Sequence, residues 1–481
     1  MSRKSEIQKN IINNEEECEK ILKFIGDYNP YSMFIMITMS VLWGLAAMNL
    51  MISAFIVDPT YTKNSSNSII AEFDLKNERA YLTNMFSSSF MIGSMVGGAI
   101  IPVLADYFGR KLNIAWSTLI IGIAGCLLGF VDKYYWILIL RFIQGLAFNG
   151  LISTNWVLSY ECVTEKLRSY SALIFGVLWV VGYCVIGPIA YYFTNWRHFC
   201  IVASFPSLVF SFVVFLTIPE SLGFLIMKKD ISGIKNWIIK CELFCKRYSN
   251  YKFPNINNLI ENIHNHVNVN NIEEKKISVS IVKRLKNTIT KKKLLIFQLI
   301  IFALIWATDT IIYYALSFFS TSLSGNIYIN YILSGLIECP SYLVVPLFLE
   351  YLGRKGLTFS MHLISSIALS LGIIIGGDNH IFYLLIWLTG KFCISCTFTS
   401  LFVYGSEIFP TSSRNISLGF CAIVSRFGGV VAPYTKSLDI IYPKLSIVLY
   451  ASIAFFAALI SLTLPETGKT NKDKDINNIY N

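Results

Sequence analysis

The chain has 481 residues, of which 54% are hydrophobic, 15% are aromatic and only 14% are charged. Soluble domains carry about 25% charged residues, so this composition excludes an ordinary soluble enzyme, and its apolar content excludes a disordered scaffold. The net charge of +11 could suggest nucleic acid, but in a hydrophobic chain a basic excess marks loops that lie beside anionic lipid. We therefore expect an integral membrane protein that binds no nucleic acid.

Apolar stretches of about 20 residues, the length that crosses a bilayer as a helix, recur along the chain. They lack the strict alternation of a membrane β-strand, so the predicted fold class is an all-α membrane protein. The twelve predicted spans are Tyr31–Val57, Tyr81–Leu104, Leu112–Val131, Tyr135–Ser159, Ser171–Phe193, Phe199–Ile218, Leu294–Phe319, Tyr328–Leu349, Gly356–Gly376, Ile381–Tyr404, Ile416–Tyr434 and Leu445–Leu464.

These spans divide the chain into five parts. A cytoplasmic N-terminal segment (1–30) precedes a six-helix bundle (31–218), and a cytoplasmic central loop (219–293) leads to a second six-helix bundle (294–464) and a cytoplasmic tail (465–481). The first span is too long for a secretory signal and lacks a cleavage site, so we expect it to be retained as a helix.

The basic residues predict the orientation. Thirty of the 40 Lys and Arg residues fall in segments that are cytoplasmic when both termini are inside, against six outside. Positive charge is retained on the cytoplasmic side, so both termini are expected there. The sequon Asn64-Ser65-Ser66 then lies outside, where Asn64 is a candidate glycosylation site. This sequon and the lack of a retention signal favour the plasma membrane.

An internal duplication is visible in the loops. Corresponding motifs in the two halves are separated by 246 residues for three landmarks and by 244 for a fourth. The repeated residues are Asp106, Gly109, Arg110, Glu161, Arg168 and Pro219-Glu220 in the first half, and Glu350, Gly353, Arg354, Glu407, Arg414 and Pro465-Glu466 in the second. Two six-helix halves in parallel repeat are the plan of the major facilitator superfamily.

The repeated turn suggests a gate. Glycine permits a tight reversal between two helices. Such a turn can bring Arg110 within ion-pair distance of Glu161, and Arg354 within ion-pair distance of Glu407. We expect such contacts only when the cytoplasmic side is closed, so that they act as a gate latch. The alternative is that the basic residues only anchor the topology.

The motifs resemble those of the organic cation, anion and zwitterion transporter family, a solute carrier group within that superfamily. They are Trp196-Arg197, Tyr313-Tyr314-Ala315-Leu316-Ser317, Gly325-Asn326-Ile327-Tyr328-Ile329-Asn330, Gly335-Leu336-Ile337-Glu338-Cys339-Pro340, Glu407-Ile408-Phe409-Pro410-Thr411, Arg414-Asn415, Gly419 and Leu464-Pro465-Glu466-Thr467. The resemblance covers nearly all of residues 31–467. Members of the family carry a large, Cys-paired outer loop, whereas Asp58–Ala80 here is short and has no Cys.

Two charges inside spans are candidate substrate-binding residues, because a charge in a bilayer marks a functional site by default. Asp309 lies in the seventh span and Arg426 in the eleventh. The resemblance implies that both helices line the cavity, and that the Arg426 position is basic in anion- and zwitterion-handling members. We expect the two charges on facing walls of the cavity; the alternative is a buried structural Asp–Arg pair.

Aromatic and paired residues complete the candidate site. Trp306, Tyr313 and Tyr314 share a helix face and suit an alkylammonium group, although such stripes also serve packing. Glu338 and Lys391 are expected to pair, with a structural or a coupling role. A further in-span charge, Arg141, is expected to snorkel to the outer interface.

The predicted function is secondary transport of a small organic ion, such as a carnitine-like solute, by alternating access. The alternatives are a transport-inactive receptor or scaffold of the same fold, and a sugar-type facilitator. No nucleotide-binding or hydrolase motif appears, so we expect no enzyme activity and no cofactor. The spacing of Cys241, Cys245, His264 and His266 is poor for zinc, so no metal is expected. A monomer in the lipid bilayer is predicted, and a coupled ion is left open.

Overall fold

The computed structural model describes residues 18–57, 68–248, 293–375, 380–410 and 414–468. The candidate glycosylation site Asn64 and both histidines weighed as zinc ligands, His264 and His266, lie outside these ranges. We call the end of the bundle where the first helix begins the inner face, and the opposite end the outer face.

Twelve long helices, α1 to α12, account for most of the described residues. They are α1 (Pro30–Met51, continued by Ser53–Ile56), α2 (Ala80–Phe108), α3 (Arg110–Leu127), α4 (Tyr134–Glu161), α5 (Glu165–Tyr192), α6 (Trp196–Thr217), α7 (Lys293–Phe318), α8 (Ile327–Leu336 and Glu338–Tyr351), α9 (Gly353–Ile375), α10 (His380–Ile408), α11 (Arg414–Val431) and α12 (Leu445–Ser461).

The predicted fold class is confirmed. Eleven helices of the described chain are long and apolar enough to cross a membrane, and α12 is a shorter apolar helix of 17 residues. The helices extend beyond several predicted spans because their first turns are polar: α5 begins at Glu165 rather than Ser171, and α9 at Gly353 rather than Gly356. A hydropathy search finds the apolar middle of a helix and misses such ends.

Corresponding helices of the two halves pack in the same pairs. In the first half α2 packs on α4, α3 on α6 and α1 on α5; in the second, α8 packs on α10, α9 on α12 and α7 on α11. Small residues let the backbones approach, as is usual between membrane helices. A Cβ at Gly145 of α4, for example, would lie 1.9 Å from the Phe90 carbonyl oxygen of α2.

Contacts between the halves tie their outer portions together. Ser88 Oγ of α2 donates a hydrogen bond to the Val430 carbonyl of α11 at 2.8 Å, and Thr321 Oγ1 donates to the Ala54 carbonyl at 3.2 Å. Phe55 packs edge-on against Tyr331, with 4.8 Å between the ring centroids. The protein is therefore in a conformation whose outer side is held shut by direct contacts.

An outer-loop carboxylate fixes the Trp196-Arg197 motif. Glu72 accepts a hydrogen bond from Trp196 Nε1 at 2.8 Å and forms an ion pair with Arg197. Burial works to raise the pKa of Glu72, but the hydrogen bonds from Arg197 and Trp196 outweigh it and hold the pKa below its ordinary value. The motif thus anchors the loop to the start of α6.

The inner face carries an additional amphipathic helix, Ile231–Tyr248, which packs against the beginning of α1. Its Trp237 and Phe244 contact the ring of Tyr31, at 5.7 and 5.3 Å between centroids. Cys241 and Cys245 lie on the same buried face, and both thiols donate to Asn29 Oδ1. These two cysteines therefore help to seat the helix against the start of α1.

The expectation that Arg141 snorkels to the interface is wrong. Its side chain is fully buried between the rings of Phe86 and Phe90, 4.4 and 4.5 Å from their centroids. Its guanidinium donates to the Asn49 carbonyl at 3.0 Å and to Gln144 Oε1 at 2.7 Å, among other acceptors. Hydrogen bonds to neutral acceptors and aromatic faces stabilise the charge inside the bundle, so it need not reach the interface.

We expect Arg141→Lys to destabilise the protein by about 2–4 kcal/mol, because an ammonium cannot replace a planar group that donates to several acceptors. The measurement is thermal unfolding of the detergent-solubilised full chain, with exposed Arg79→Lys as the control. Equal stability of the two variants would contradict the buried network.

Candidate functional site

The first repeated turn is held by carboxylates from two other helices. Arg110 forms ion pairs with Glu161 at the end of α4 and, at 3.5 Å, with Asp106 of α2. Glu220, which follows α6, accepts hydrogen bonds from the backbone N–H groups of Arg110 and Lys111 at 2.9 and 3.1 Å. A carboxylate in this position caps the N-terminus of α3, where the helix dipole favours negative charge.

The second turn repeats this arrangement. Arg354 Nε and Nη2 donate to the two oxygens of Glu407 at 2.9 Å each, a bidentate pair. Glu466 accepts from the backbone N–H groups of Arg354 and Lys355 at 2.9 and 3.1 Å, and so caps α9. Thr467 Oγ1 adds a 2.7 Å hydrogen bond to Glu407. The duplication is thus conserved between the halves in three dimensions as well as in sequence.

Glycine is required at both turns. Gly109 and Gly353 have φ of +106° and +72°, and a Cβ would lie 2.5 Å from Glu220 Oε2 and 2.7 Å from Glu466 Oε2 respectively. A side chain would therefore be strained and would also displace the capping carboxylate.

These contacts change the interpretation of the latch. Both predicted Arg–Glu pairs are formed, but Arg110–Glu161 lies wholly in the first half and Arg354–Glu407 wholly in the second. Opening the cytoplasmic side need not break either pair, so the expectation that they exist only in a closed gate does not follow from the geometry. Each pair instead braces its own half.

The two remaining gate candidates have other surroundings. Arg168 does not reach Glu161; it forms an ion pair with Glu19 at 3.3 Å and lies 4.5 Å from the Tyr160 ring centroid. Glu19 belongs to a short inner-face helix at residues 18–25, which the sequence did not predict. Arg414 begins α11, and within the described residues no carboxylate forms an ion pair with it.

Glu338 and Lys391 pair in the interior, as expected. Lys391 Nζ of α10 lies 3.0 Å from Glu338 Oε1 of α8, and both side chains are buried. The ammonium also hydrogen bonds to Ser317 and to the Tyr313 carbonyl of α7, and it lies 3.4 Å from the centroid of the Tyr313 ring. The pair thus joins three helices of the second half.

The first half reaches this cluster through α5. Trp179 Nε1 donates to Tyr313 Oη at 3.2 Å, and Tyr313 Oη donates to Glu338 Oε2 at 3.1 Å. Tyr183 of α5 places its ring 5.9 Å from Lys391 Nζ. We call Trp179, Tyr183, Tyr313, Glu338 and Lys391 the seam cluster, because it lies where the two halves meet.

Arg426 lies beside the seam cluster on α11. Its Nη1 donates to Tyr314 Oη at 3.5 Å, and its side chain is half-buried. Residues 429 and 430, one turn further along α11, face α2, where Gly429 lies against Met91. Arg426 therefore projects toward the other half rather than toward lipid. No carboxylate in the described part of the chain forms an ion pair with it.

Two predicted substrate residues have different surroundings from those expected. Asp309 does not face Arg426: its carboxylate lies 2.9 Å from His362 Nε2 of α9 and accepts a hydrogen bond from Thr397 of α10. Trp306 is buried against Phe302 and Phe402 inside the second half. Among the described residues Asp309 and Arg426 form no ion pair, because the Asp309 carboxylate is contacted by His362 and Thr397 instead.

Sequence reasoning missed three residues of this region. His362 is a titratable residue inside a predicted span, so the rule that selected Asp309 should also have selected it. Trp179 and Tyr183 carried no such signal, since aromatic residues are common throughout the spans. Only the packing of α5 against α8 reveals that they reach the seam cluster.

Comparison with known proteins agrees with the fold. The profile of a family described as "Sugar (and other) transporter" matches residues 38–474. A Caenorhabditis elegans protein named only as a transporter is 32% identical over 94% of this chain and 89% of its own length. An "Organic cation transporter protein" of Drosophila melanogaster is 27% identical over 83% of this chain and 72% of its own.

A further relative and a solved structure are also similar to this chain. "Organic anion transporter 3" of Rattus norvegicus is 26% identical over 87% of this chain and 76% of its own length. Among solved structures, the xylose transporter XylE from E. coli in an inward-open conformation superposes with a TM-score of 0.65 at 17% identity, covering 90% of this chain and 97% of that one. That likeness supports the fold alone.

We expect Gly353→Ala to destabilise the protein by about 1–3 kcal/mol, the usual cost of a strained backbone position. Gly356→Ala, three residues further along α9, is the matched control because a Cβ there meets only Leu352 Cβ at 3.7 Å. Thermal unfolding measures both variants, and equal effects would contradict the proposed role of the turn.

We expect Lys391→Met to lower stability by about 3–5 kcal/mol, since it leaves the Glu338 carboxylate buried without its cation. The double variant Lys391→Met with Glu338→Gln should recover most of that loss, because no charge remains uncompensated. Thermal unfolding with exposed Lys133→Met as the control measures this. An undiminished loss in the double variant would show that the ion pair is not what stabilises the cluster.

Proposed function

The chain belongs to the sugar (and other) transporter family of the major facilitator superfamily, and we propose that this membrane transporter carries small organic anions and zwitterions by alternating access. In this proposal the carboxylate of the substrate binds Arg426, and its organic body packs against the aromatic side chains at the seam between the halves.

The surroundings of Arg426 carry the proposal. The other interior charges considered above have partners: Lys391 has Glu338, Asp309 has His362, and Arg141 has neutral acceptors. Among the described residues Arg426 has one hydrogen bond, to a tyrosine hydroxyl at the long distance of 3.5 Å, and no acidic partner. A half-buried guanidinium without an acidic partner favours a carboxylate ligand, because its planar N–H donors match the two carboxylate oxygens.

The neighbouring side chains suit an organic body. Tyr314 stacks on Phe318 with 5.6 Å between centroids, and Tyr313 stacks on Phe398 at the same distance. Aromatic walls bind apolar groups and also accept alkylammonium groups on their faces. A zwitterion could therefore place its carboxylate on Arg426 and its cationic group near the Tyr313 ring and Glu338.

The names of the relatives support a charged organic molecule as the substrate. Their names include both organic cation and organic anion transporters, which agrees with a charged organic substrate. Arg426 then favours the anionic and zwitterionic members of that class over simple cations. A sugar would leave the guanidinium without a counter-charge, so a sugar-type facilitator fits the site less well.

The way the halves are built supports the proposed alternating access. Each half is braced at its inner turn by its own Arg–Glu pair, so each can move as a unit. The contacts between the outer portions of the halves, which include the Ser88–Val430 and Thr321–Ala54 hydrogen bonds, must break for the outer side to open. In this proposal the inner turns keep each half rigid while the seam opens on alternate sides.

The setting of the protein completes the proposal. The basic inner loops orient both termini toward the cytoplasm, and the Asn64 sequon supports a place in the plasma membrane. A monomer suffices, because all side chains assigned to the site belong to one chain.

We expect Arg426→Asp to weaken uptake of hippurate, an organic anion, and of carnitine, a zwitterion, at least tenfold. Loss of a buried charge partner costs about 2–5 kcal/mol of binding free energy, which sets that magnitude. Uptake of tetraethylammonium, a cation, should rise or stay unchanged. The measurement is uptake of all three radiolabelled probes into proteoliposomes, normalised to reconstituted protein.

The matched control is Lys436→Asp, which changes the charge by the same amount just beyond α11, at a residue already paired with Asp439. A well-folded Arg426→Asp protein with the selectivity of the wild type would rule out the carboxylate site. A wild-type protein that transports none of the three probes would favour the receptor or scaffold alternative.

A further inference from the structure

A second buried charge pair lies outside the proposed substrate site. Asp309 of α7 and His362 of α9 both have fully buried side chains, and Asp309 Oδ1 lies 2.9 Å from His362 Nε2. Burying ionisable residues at this depth in a membrane protein costs free energy, so a buried pair of them indicates a functional role. The described contacts of this pair are with α7, α9 and α10, all in the second half.

The hydrogen-bond partners determine how many protons the pair holds. His362 Nδ1 lies 2.8 Å from the Thr358 carbonyl oxygen, which can only accept, so Nδ1 carries a hydrogen. In their unprotonated forms Nε2 and the Asp309 oxygen would both present lone pairs and would repel each other at 2.9 Å. Nε2 makes no hydrogen bond with the described residues, so we interpret this contact as an ion pair between an imidazolium and a carboxylate. The pair therefore holds one proton more than a neutral imidazole beside a carboxylate, and its net charge is zero.

We propose that the Asp309–His362 pair is the binding site of a proton that this transporter carries together with its substrate. Only the direction of coupling rests on the proposed function; the proton site itself does not. In the step, the proton on His362 Nε2 passes to water, leaving a neutral imidazole and a carboxylate with one net negative charge.

The environment of Asp309 makes this proton exchangeable rather than permanently structural. Thr397 Oγ1 donates to Oδ1 at 2.9 Å, whereas Oδ2 is buried and has no hydrogen-bond partner among the described residues. A purely structural carboxylate would be expected to have both oxygens satisfied. The unsatisfied oxygen can accept a hydrogen bond from a donor that arrives in another state of the cycle, such as water admitted when the seam opens.

The pair lies close enough to the seam cluster to influence it. Tyr313 follows Asp309 by four residues on α7, about 6 Å along the same helix face, and Lys391 precedes Thr397 by six residues on α10, about 9 Å along that helix. Buried titratable side chains on the helices that pack around the pair include Tyr313 and Tyr314 on α7, Glu338 on α8, Lys391, Cys393, Cys396 and Tyr404 on α10, Cys421 on α11 and Tyr450 on α12, and Arg426 on α11 is half-buried.

These charges set the direction of coupling. Glu338 and Lys391 neutralise each other, so Arg426 is the net charge of the seam. A substrate carboxylate there is favoured when the Asp309–His362 pair is protonated and neutral, and is repelled when proton loss leaves a negative charge. Linkage is reciprocal, so bound anion strengthens proton binding by the same factor. The proton and an organic anion should therefore move in the same direction.

One experiment tests the proton site without any substrate. The full chain, reconstituted in lipid with ¹⁵N-labelled histidine, contains five His residues, and His362→Gln identifies the His362 signal by its loss. We expect that signal to change between its two protonation states as pH rises, and to lose this behaviour in Asp309→Asn, whose amide can still contact Nε2. A His362 signal that is insensitive to pH would overturn the proposal.

A second experiment tests coupling. Proteoliposomes with a trapped pH indicator receive an inward hippurate gradient, and the wild type should acidify inside. Asp309→Asn and His362→Gln should lose the acidification while retaining exchange of internal for external hippurate, which a merely structural role would not allow. Ser366→Ala, which removes a hydrogen bond to the Ala451 carbonyl one turn along α9, is the matched control and should stay coupled.

The outcomes separate the two proposals. Hippurate uptake by the wild type without acidification would overturn proton coupling and leave the proposed function intact. Acidification that persists in both variants would assign the proton to another site and would also overturn the inference. No transport of hippurate, carnitine or tetraethylammonium would count against the proposed function, and the histidine titration would still decide the proton site.

Discussion

A charge inside a bilayer must be neutralised or hydrogen-bonded by its neighbours, and this constraint arranges the interior of the protein. Arg141 meets it with neutral acceptors and two aromatic faces, and Lys391 meets it with Glu338 and the surrounding groups of α7. The Lys391–Glu338 pair contacts three helices of the second half, and α5 of the first half packs against it. The ion pair that stabilises these two buried charges therefore also holds the two halves together at the seam. Among the described residues Arg426 has no such partner, so its guanidinium is available to a substrate carboxylate in the proposed function.

The inner turns meet a second constraint, because in the proposed cycle the two halves move and neither may unfold. Each turn needs a glycine with positive φ, an arginine bound to a carboxylate of a neighbouring helix, and a second carboxylate that caps the next helix. These bonds lie within one half, so they stiffen it, whereas the outer portions of the two halves are joined by hydrogen bonds, ring contacts and helix packing. The ion pairs among the described residues thus lie within the halves rather than between them.

The sequence was sufficient to predict what depends on local pattern or repetition. Hydropathy located the helices, and the repeat intervals of 244 and 246 residues identified Arg354–Glu407 as the counterpart of Arg110–Glu161. The sequence was insufficient for side chains whose partners come from several different helices. The burial of Arg141 depends on acceptors from α1 and α4, and Asp309 is paired by a histidine on a helix two spans away. Such partners cannot be chosen from one helix at a time, because helix rotation decides which face meets which neighbour.

The most direct test of the proposed carboxylate site compares two ligands that share one aromatic body, one with a carboxylate and one without. Hippurate and its uncharged methyl ester have the same aromatic body, so their competition against carnitine uptake in proteoliposomes isolates the carboxylate. If Arg426 receives that group, the ester should compete at least about tenfold more weakly, as expected for the loss of a charge-assisted hydrogen-bonded pair. Equal competition by the two compounds would show that the site does not recognise a carboxylate and would contradict the account.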